Sequence, residues 1–186
     1  MIILTEDQVN KALTRIAEGL RKYCWIQKNF KQCDVSKNRD FQRRFNDFYK
    51  VRRNASWRNH YYQLMEASKV QAITFSQALR TLRELTGRIE ASFASKLVAT
   101  LDPNKPVVDK FVLDNFGLRL PYYSTDNRES KTIQVYSQLC RKYEGLMACP
   151  IAHIICANFA KMYPWANITD LKKVDFVLWQ IRDRKT

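Results

Sequence analysis

Three groups of residues in this 186-residue chain are of types that do chemistry. The densest lies between Tyr49 and Tyr62, where cations alternate with rings: Lys50, Arg52, Arg53, Trp57, Arg58, His60, Tyr61 and Tyr62. Guanidinium groups hold phosphate oxygens and aromatic faces stack on bases, so this mixture suits a nucleic-acid surface. The spacing of Trp57, Tyr61 and Leu64 equally suits the inward face of a helix, with the arginines on its solvated side. The second group is a single carboxylate, Asp109, standing where a helix is expected to begin. There it either caps the helix and faces its dipole or is held ready for chemistry. The third is Cys149, His153 and Cys156, at i, i+4 and i+7 on one helical face. Structural zinc asks for a fourth ligand and close cysteine pairs. A buried thiol stripe is therefore the expectation, with no metal or other cofactor.

Charge narrows the class of partner. Lys and Arg total 32 against 18 acidic residues, a formal net charge of +14. Such a field recruits polyanions, because neutralised phosphates release condensed counterions. It exceeds the roughly 2–8 charges that solubility asks of a small domain. No stretch approaches the ~20 apolar residues of a membrane span, and no lipidation signal is present. The opening Met1-Ile-Ile-Leu-Thr-Glu-Asp lacks the apolar core of a signal peptide. The five cysteines, at 24, 33, 140, 149 and 156, form no disulfide framework, which points to a reduced cytoplasmic setting.

The elements that must position these groups read as helices. An apolar fraction of 46% supports a proper core, while four glycines and five prolines are too few for a turn-rich β fold. Thr5 and Gln8 form a capping box ahead of Val9, Leu13, Ile16 and Leu20, predicting one helix into the Lys22–Lys28 region. Phe41, Phe45 and Phe48 mark a short second helix, and a third spans Ala55–Lys69. Thr74 and Gln77 open a fourth, ending near Leu85 before Gly87. Further helices are expected over Glu90–Leu101, Val108–Gly117, Glu129–Leu146, Pro150–Met162 and Thr169–Arg182, with Pro150 in a first turn and Thr169 as a cap. No repeat and no strand is evident. The expected fold is all-α: one domain over residues 1–186, of eight or nine helices, with one core or two small lobes flanking a cleft.

Two of these segments carry a family likeness. Pro106-Val-Val-Asp-Lys-Phe-Val-Leu-Asp-Asn-Phe-Gly-Leu resembles the catalytic segment of the helix-hairpin-helix DNA glycosylase superfamily, with Asp109 at the essential aspartate and Val112, Gly117 and Leu118 following. Upstream, Leu85 and Gly87 match the hairpin, within an element of about residues 79–101. The 109 − 85 = 24 positions from Leu85 to Asp109 are similar to the endonuclease III branch. Two positions depart: Ile89 replaces the second hairpin glycine, and the lysine used as a nucleophile by bifunctional members falls at Ala91. The four-cysteine iron–sulfur loop of some relatives is missing.

The resemblance implies a monofunctional glycosylase that leaves an abasic site. Asp109 would stabilise positive charge on the sugar and orient water. The turn at Gly87 and Arg88, with Lys96, Arg52, Arg53 and Arg58, would hold the backbone of double-stranded DNA. Trp57, Tyr61 and Tyr62 would stack on the extruded base. Lys96 is the one substitute amine near Ala91, but it lies about 140° around the helix from that position. Repair of damaged bases and attack on modified phage DNA both fit. The alternative is a basic helical DNA-binding protein without catalysis.

Overall fold

The computed structural model describes residues 4–181. These form ten α-helices and no strand: α1 Glu6–Leu13, α2 Ala17–Phe30, α3 Arg39–Tyr49, α4 Ala55–Ala67, α5 Phe75–Thr86, α6 Ala91–Leu101, α7 Lys110–Asn115, α8 Arg128–Met147, α9 Pro150–Met162 and α10 Asp170–Gln180. No single helix among them is long and apolar enough to cross a membrane.

Local chemistry sets the boundaries. Both expected capping boxes form, Thr5 with Gln8 and Thr74 with Gln77, each satisfying two backbone donors that a helix start leaves unpaired. Asn38, Asn54, Asp109 and Thr169 cap α3, α4, α7 and α10 through their side-chain oxygens. Gly87 and Gly117 take the left-handed conformation that ends a helix, at φ 70° and 66°. After α7 the Leu118 N–H reaches Leu113 O and the Gly117 N–H reaches Asp114 O, the paired bonds of a Schellman stop.

The single first helix expected from Thr5 to Lys28 is in fact two. Arg15 and Ile16 donate three residues back, to Ala12 and Leu13, and the Thr14 hydroxyl takes the Lys11 carbonyl. This tight turn re-aims α2, so that Leu13, Ile16 and Leu20 are all buried. The count becomes ten. Arg182, expected at the end of the last helix, and Met1 to Ile3 lie outside the described residues.

One hydrophobic core draws on all ten helices. At its centre runs α6, whose residues from Phe93 to Thr100 are all buried, Lys96 included. Helix α5 packs along α6, α2 against α3, and α10 touches α1, α7 and α9. Tyr163 donates its hydroxyl hydrogen bond to the Leu13 carbonyl, tying the chain's two ends together.

Candidate nucleic-acid site

Asp109 is placed by the buried face of α6. The Ser95 hydroxyl accepts the Val108 N–H at 2.8 Å while donating to the Ser92 carbonyl at 2.9 Å. Tyr136 donates to the Pro106 carbonyl at 3.4 Å, and Val107 and Val108 are buried. The chain is thus clamped for three residues before Asp109. That residue then caps α7, one carboxylate oxygen taking the Phe111 N–H at 2.8 Å. The other oxygen accepts no hydrogen bond among the described residues. Asp109 is half-buried and borders an open groove of about 470 Å³, together with Ser92, Lys110, Leu118, Arg119 and Leu120.

A second, cationic cleft of about 450 Å³ lies at the start of α4. Arg52, Arg53, Trp57 and His60 meet Leu85, Thr86 and Arg88 there. Two stretches some thirty residues apart, each suspected of binding nucleic acid, therefore share one cavity. Arg52 and Arg88 are exposed and make no ion pair among the described residues. Arg53 is committed: Nε and Nη2 grip the buried Glu90 carboxylate at 3.1 and 3.0 Å. The cleft touches the α5–α6 connection through Arg88, and the Asp109 groove touches α6 through Ser92.

Several expected roles need correction. Tyr61 and Tyr62 are 0% exposed and cannot stack on an incoming base. Tyr61 donates to the Phe93 carbonyl and Tyr62 to Asn46 Oδ1, so both phenols are structural, and desolvation drives their pKa values upward. Trp57 does line the cleft, but with 7% exposure it offers no free ring face; its indole stacks on Tyr61 with centroids 5.0 Å apart. Arg58 lies off the cleft, close enough to Tyr62 for its charge to act on that phenol.

Lys96 is not a phosphate contact. Its ammonium is buried, donates to the Tyr49 carbonyl at 3.1 Å and sits 5.0 Å over the Phe93 ring. Burial pulls its pKa down to about 8, with the Asp109 carboxylate opposing the shift. It lines neither cavity. The Gly87 turn also differs from a phosphate cradle. The Gly87 N–H is spent on Arg83 O at 2.8 Å, Ile89 packs against the core, and Glu90 sets a carboxylate at the N-cap of α6. That negative charge offsets the helix end that was expected to attract an anion.

The half-buried Cys149 and Cys156 and the exposed His153 are no buried thiol stripe, because α9 turns Ala152, Ile155 and Phe159 inward instead. Among the described residues no group of three His, Cys, Asp or Glu could hold a metal ion.

Sequence reasoning missed the polar residues of the interior. Ser95 and Tyr136 hold the Asp109 segment, and on α10 the buried Lys172 and Asp175 pair at 2.9 Å, with Tyr143 donating to Asp175 at 2.5 Å. The signal lay in α6 itself: Ser95, Lys96 and Thr100 interrupt the apolar run from Phe93 onward, in a helix with too few polar residues for a solvated face. Such residues must find partners inside.

No family model, no curated protein and no solved structure matches the chain. Any functional reading rests on the site alone.

Proposed function

We propose that the chain is a monofunctional DNA glycosylase that uses Asp109 as its catalytic carboxylate and a cationic surface to hold DNA. The observation that carries this reading is the state of Asp109: clamped from behind by Ser95, half-buried, with one oxygen unspent beside an open groove. Breaking an N-glycosidic bond builds positive charge on the sugar. A fixed carboxylate at the edge of a partly desolvated groove stabilises that charge and orients a water for attack. The groove volume of about 470 Å³ falls in the range of roughly 300–1,000 Å³ typical of small-ligand sites, enough for an extruded nucleotide. The net charge of +14 and the free Arg52 and Arg88 supply attraction to the DNA backbone. Ala91 stands where bifunctional members of the resembled superfamily carry their nucleophilic lysine, so the product is an abasic site. Repair of damaged bases and removal of modified bases from invading DNA both use this chemistry.

The test is Asp109→Asn. Asparagine is as good an N-cap as aspartate, so α7 and the fold are kept. The variant is expected to bind duplex DNA as the wild type does and to release no base from a panel of DNAs carrying damaged and hypermodified bases, read by mass spectrometry. Base release at the wild-type rate refutes the assignment.

A second reading, a DNA-binding protein without catalysis, is favoured by the cap itself. Bonding the Phe111 N–H is a structural duty that accounts for an aspartate at this position without any reaction. Salt-sensitive DNA binding with no excision from any member of the panel selects it.

A further inference from the structure

Trp57, which lines the cationic cleft, carries a donor with no partner among the described residues. Trp57 is 7% exposed, and its indole Nε1 is buried and makes no hydrogen bond in the described structure. A buried unpaired N–H costs about 1–3 kcal/mol, and a bound water, ion or ligand is one way such a group is satisfied. Around it the cleft is built for an anion. Arg52 and Arg88 are unpaired, His60 adds two ring nitrogens, and the first turn of the 13-residue α4 contains no acidic residue. The Asn54 side chain caps the Trp57 N–H, which leaves the Ala55 and Ser56 backbone donors outside the helix's own ladder.

From this geometry we propose that the cleft seats one phosphate group of a nucleic-acid strand, with the Trp57 indole N–H as its neutral donor and Arg52 and Arg88 as its charge partners. The inference rests on nucleic acid being the partner, and it relocates the anchor. The α5–α6 turn carries Glu90 at the start of α6, whereas no carboxylate lines the cleft at the start of α4. Arg53, whose guanidinium carbon lies 5.9 Å from the Trp57 ring centre, stays tied to Glu90 and forms the cleft wall. Trp57 thereby changes role, from a stacking ring to a hydrogen-bond donor.

The experiment follows the four indole N–H resonances of the ¹⁵N-labelled full chain, the Trp57 signal being assigned with Trp57→Phe. The probes are inorganic phosphate, a 12-base-pair DNA with 5′-hydroxyl ends, and the same duplex with 5′-phosphates, each against chloride at equal ionic strength. The Trp57 signal is expected to shift saturably with inorganic phosphate and with duplex, and not with chloride. A response to both duplexes assigns an internal phosphodiester; a response only to the phosphorylated one assigns a terminal phosphate. Arg88→Ala changes an exposed side chain and should leave the fold intact. It is expected to abolish the phosphate-induced shift and to make the plot of log affinity against log salt shallower by about one unit. If duplex binds while the Trp57 signal stays fixed, the proposal falls and DNA binding stands. If no DNA binds at all, both fall together.

Discussion

Replacing Lys96 by methionine converts the buried ammonium into a measurable pH dependence. The side chain's pKa is about 8 in the folded protein, against about 10.4 in an unfolded chain. Below pH 8 both states hold the proton, and the fold bears the full penalty of a buried cation. Between pH 8 and 10 the folded state sheds the proton while the unfolded chain keeps it, so stability rises with pH. At 1.36 kcal/mol per unit, allowing for partial titration at both ends, the gain is about 2 kcal/mol from pH 8 to 10. Above pH 10 the direction reverses. Tyr23, Tyr49, Tyr62 and Tyr136 have raised pKa values through burial, and they ionise first in the unfolded chain. Methionine keeps the unbranched length and cannot titrate. Urea unfolding of wild type and Lys96→Met at pH 7, 8, 9 and 10 cancels the other groups in the difference. Wild type is expected to gain about 2 kcal/mol on the variant across the upper two units. A flat difference would mean that Lys96 is solvated or ionised throughout, and the buried placement on α6 would be wrong.

Sodium borohydride added during turnover is expected to trap no covalent protein–DNA adduct through Lys96, whose amine lines neither cavity and bonds the Tyr49 carbonyl; a trapped adduct, seen as a shifted band on a denaturing gel and lost in Lys96→Met, would refute that placement. Ser95→Ala removes the acceptor of the Val108 N–H, which should cost about 1–3 kcal/mol in urea unfolding. By loosening the segment ahead of Asp109 it should also slow base release about tenfold or more, with duplex affinity unchanged.

Helix starts and stops were legible because they are local. Thr5, Thr74 and Thr169 each carry their cap within three residues, and Pro150 and Gly117 punctuate by backbone geometry alone. The break at Thr14–Ile16 was not legible. Nothing in that stretch forbids a helix, and the turn serves burial of Leu13 and Ile16 against partners more than a hundred residues away. The ring-and-cation stretch was legible in part. Periodicity put Trp57, Tyr61 and Leu64 on one face; Trp57 and Tyr61 are buried there, and Leu64 is half-buried. The competing stacking role gave way to burial, the commoner fate of rings at helical spacing. What a sequence hides is which polar residues are driven inside. Lys96 differs from any surface lysine only in the company of its helix, and Asp175 finds Tyr143 across 32 positions.

The α5–α6 connection holds its shape with Ile89 and Glu90 following Arg88. Ile89 gives the α5–α6 connection an apolar anchor in the core, and Glu90 fastens the N-cap of α6 to Arg53. A turn fixed in this way is rigid but electrostatically wrong for a phosphate. Its rigidity still serves the site, since one buried helix then carries Ser92 at the Asp109 groove, Ser95 beneath Val108, and Glu90 against the cleft wall. Helix α4 meets α5, α5 packs along α6 and α7 packs on α10, so the cleft and Asp109 are joined through the shared core. Residues Phe93 to Thr100 of α6 are buried, and close-packed interiors resist displacement. On the proposed reading, DNA held at the cleft would meet Asp109 across this packed core, and a phosphate contact at α4 would leave the carboxylate undisturbed.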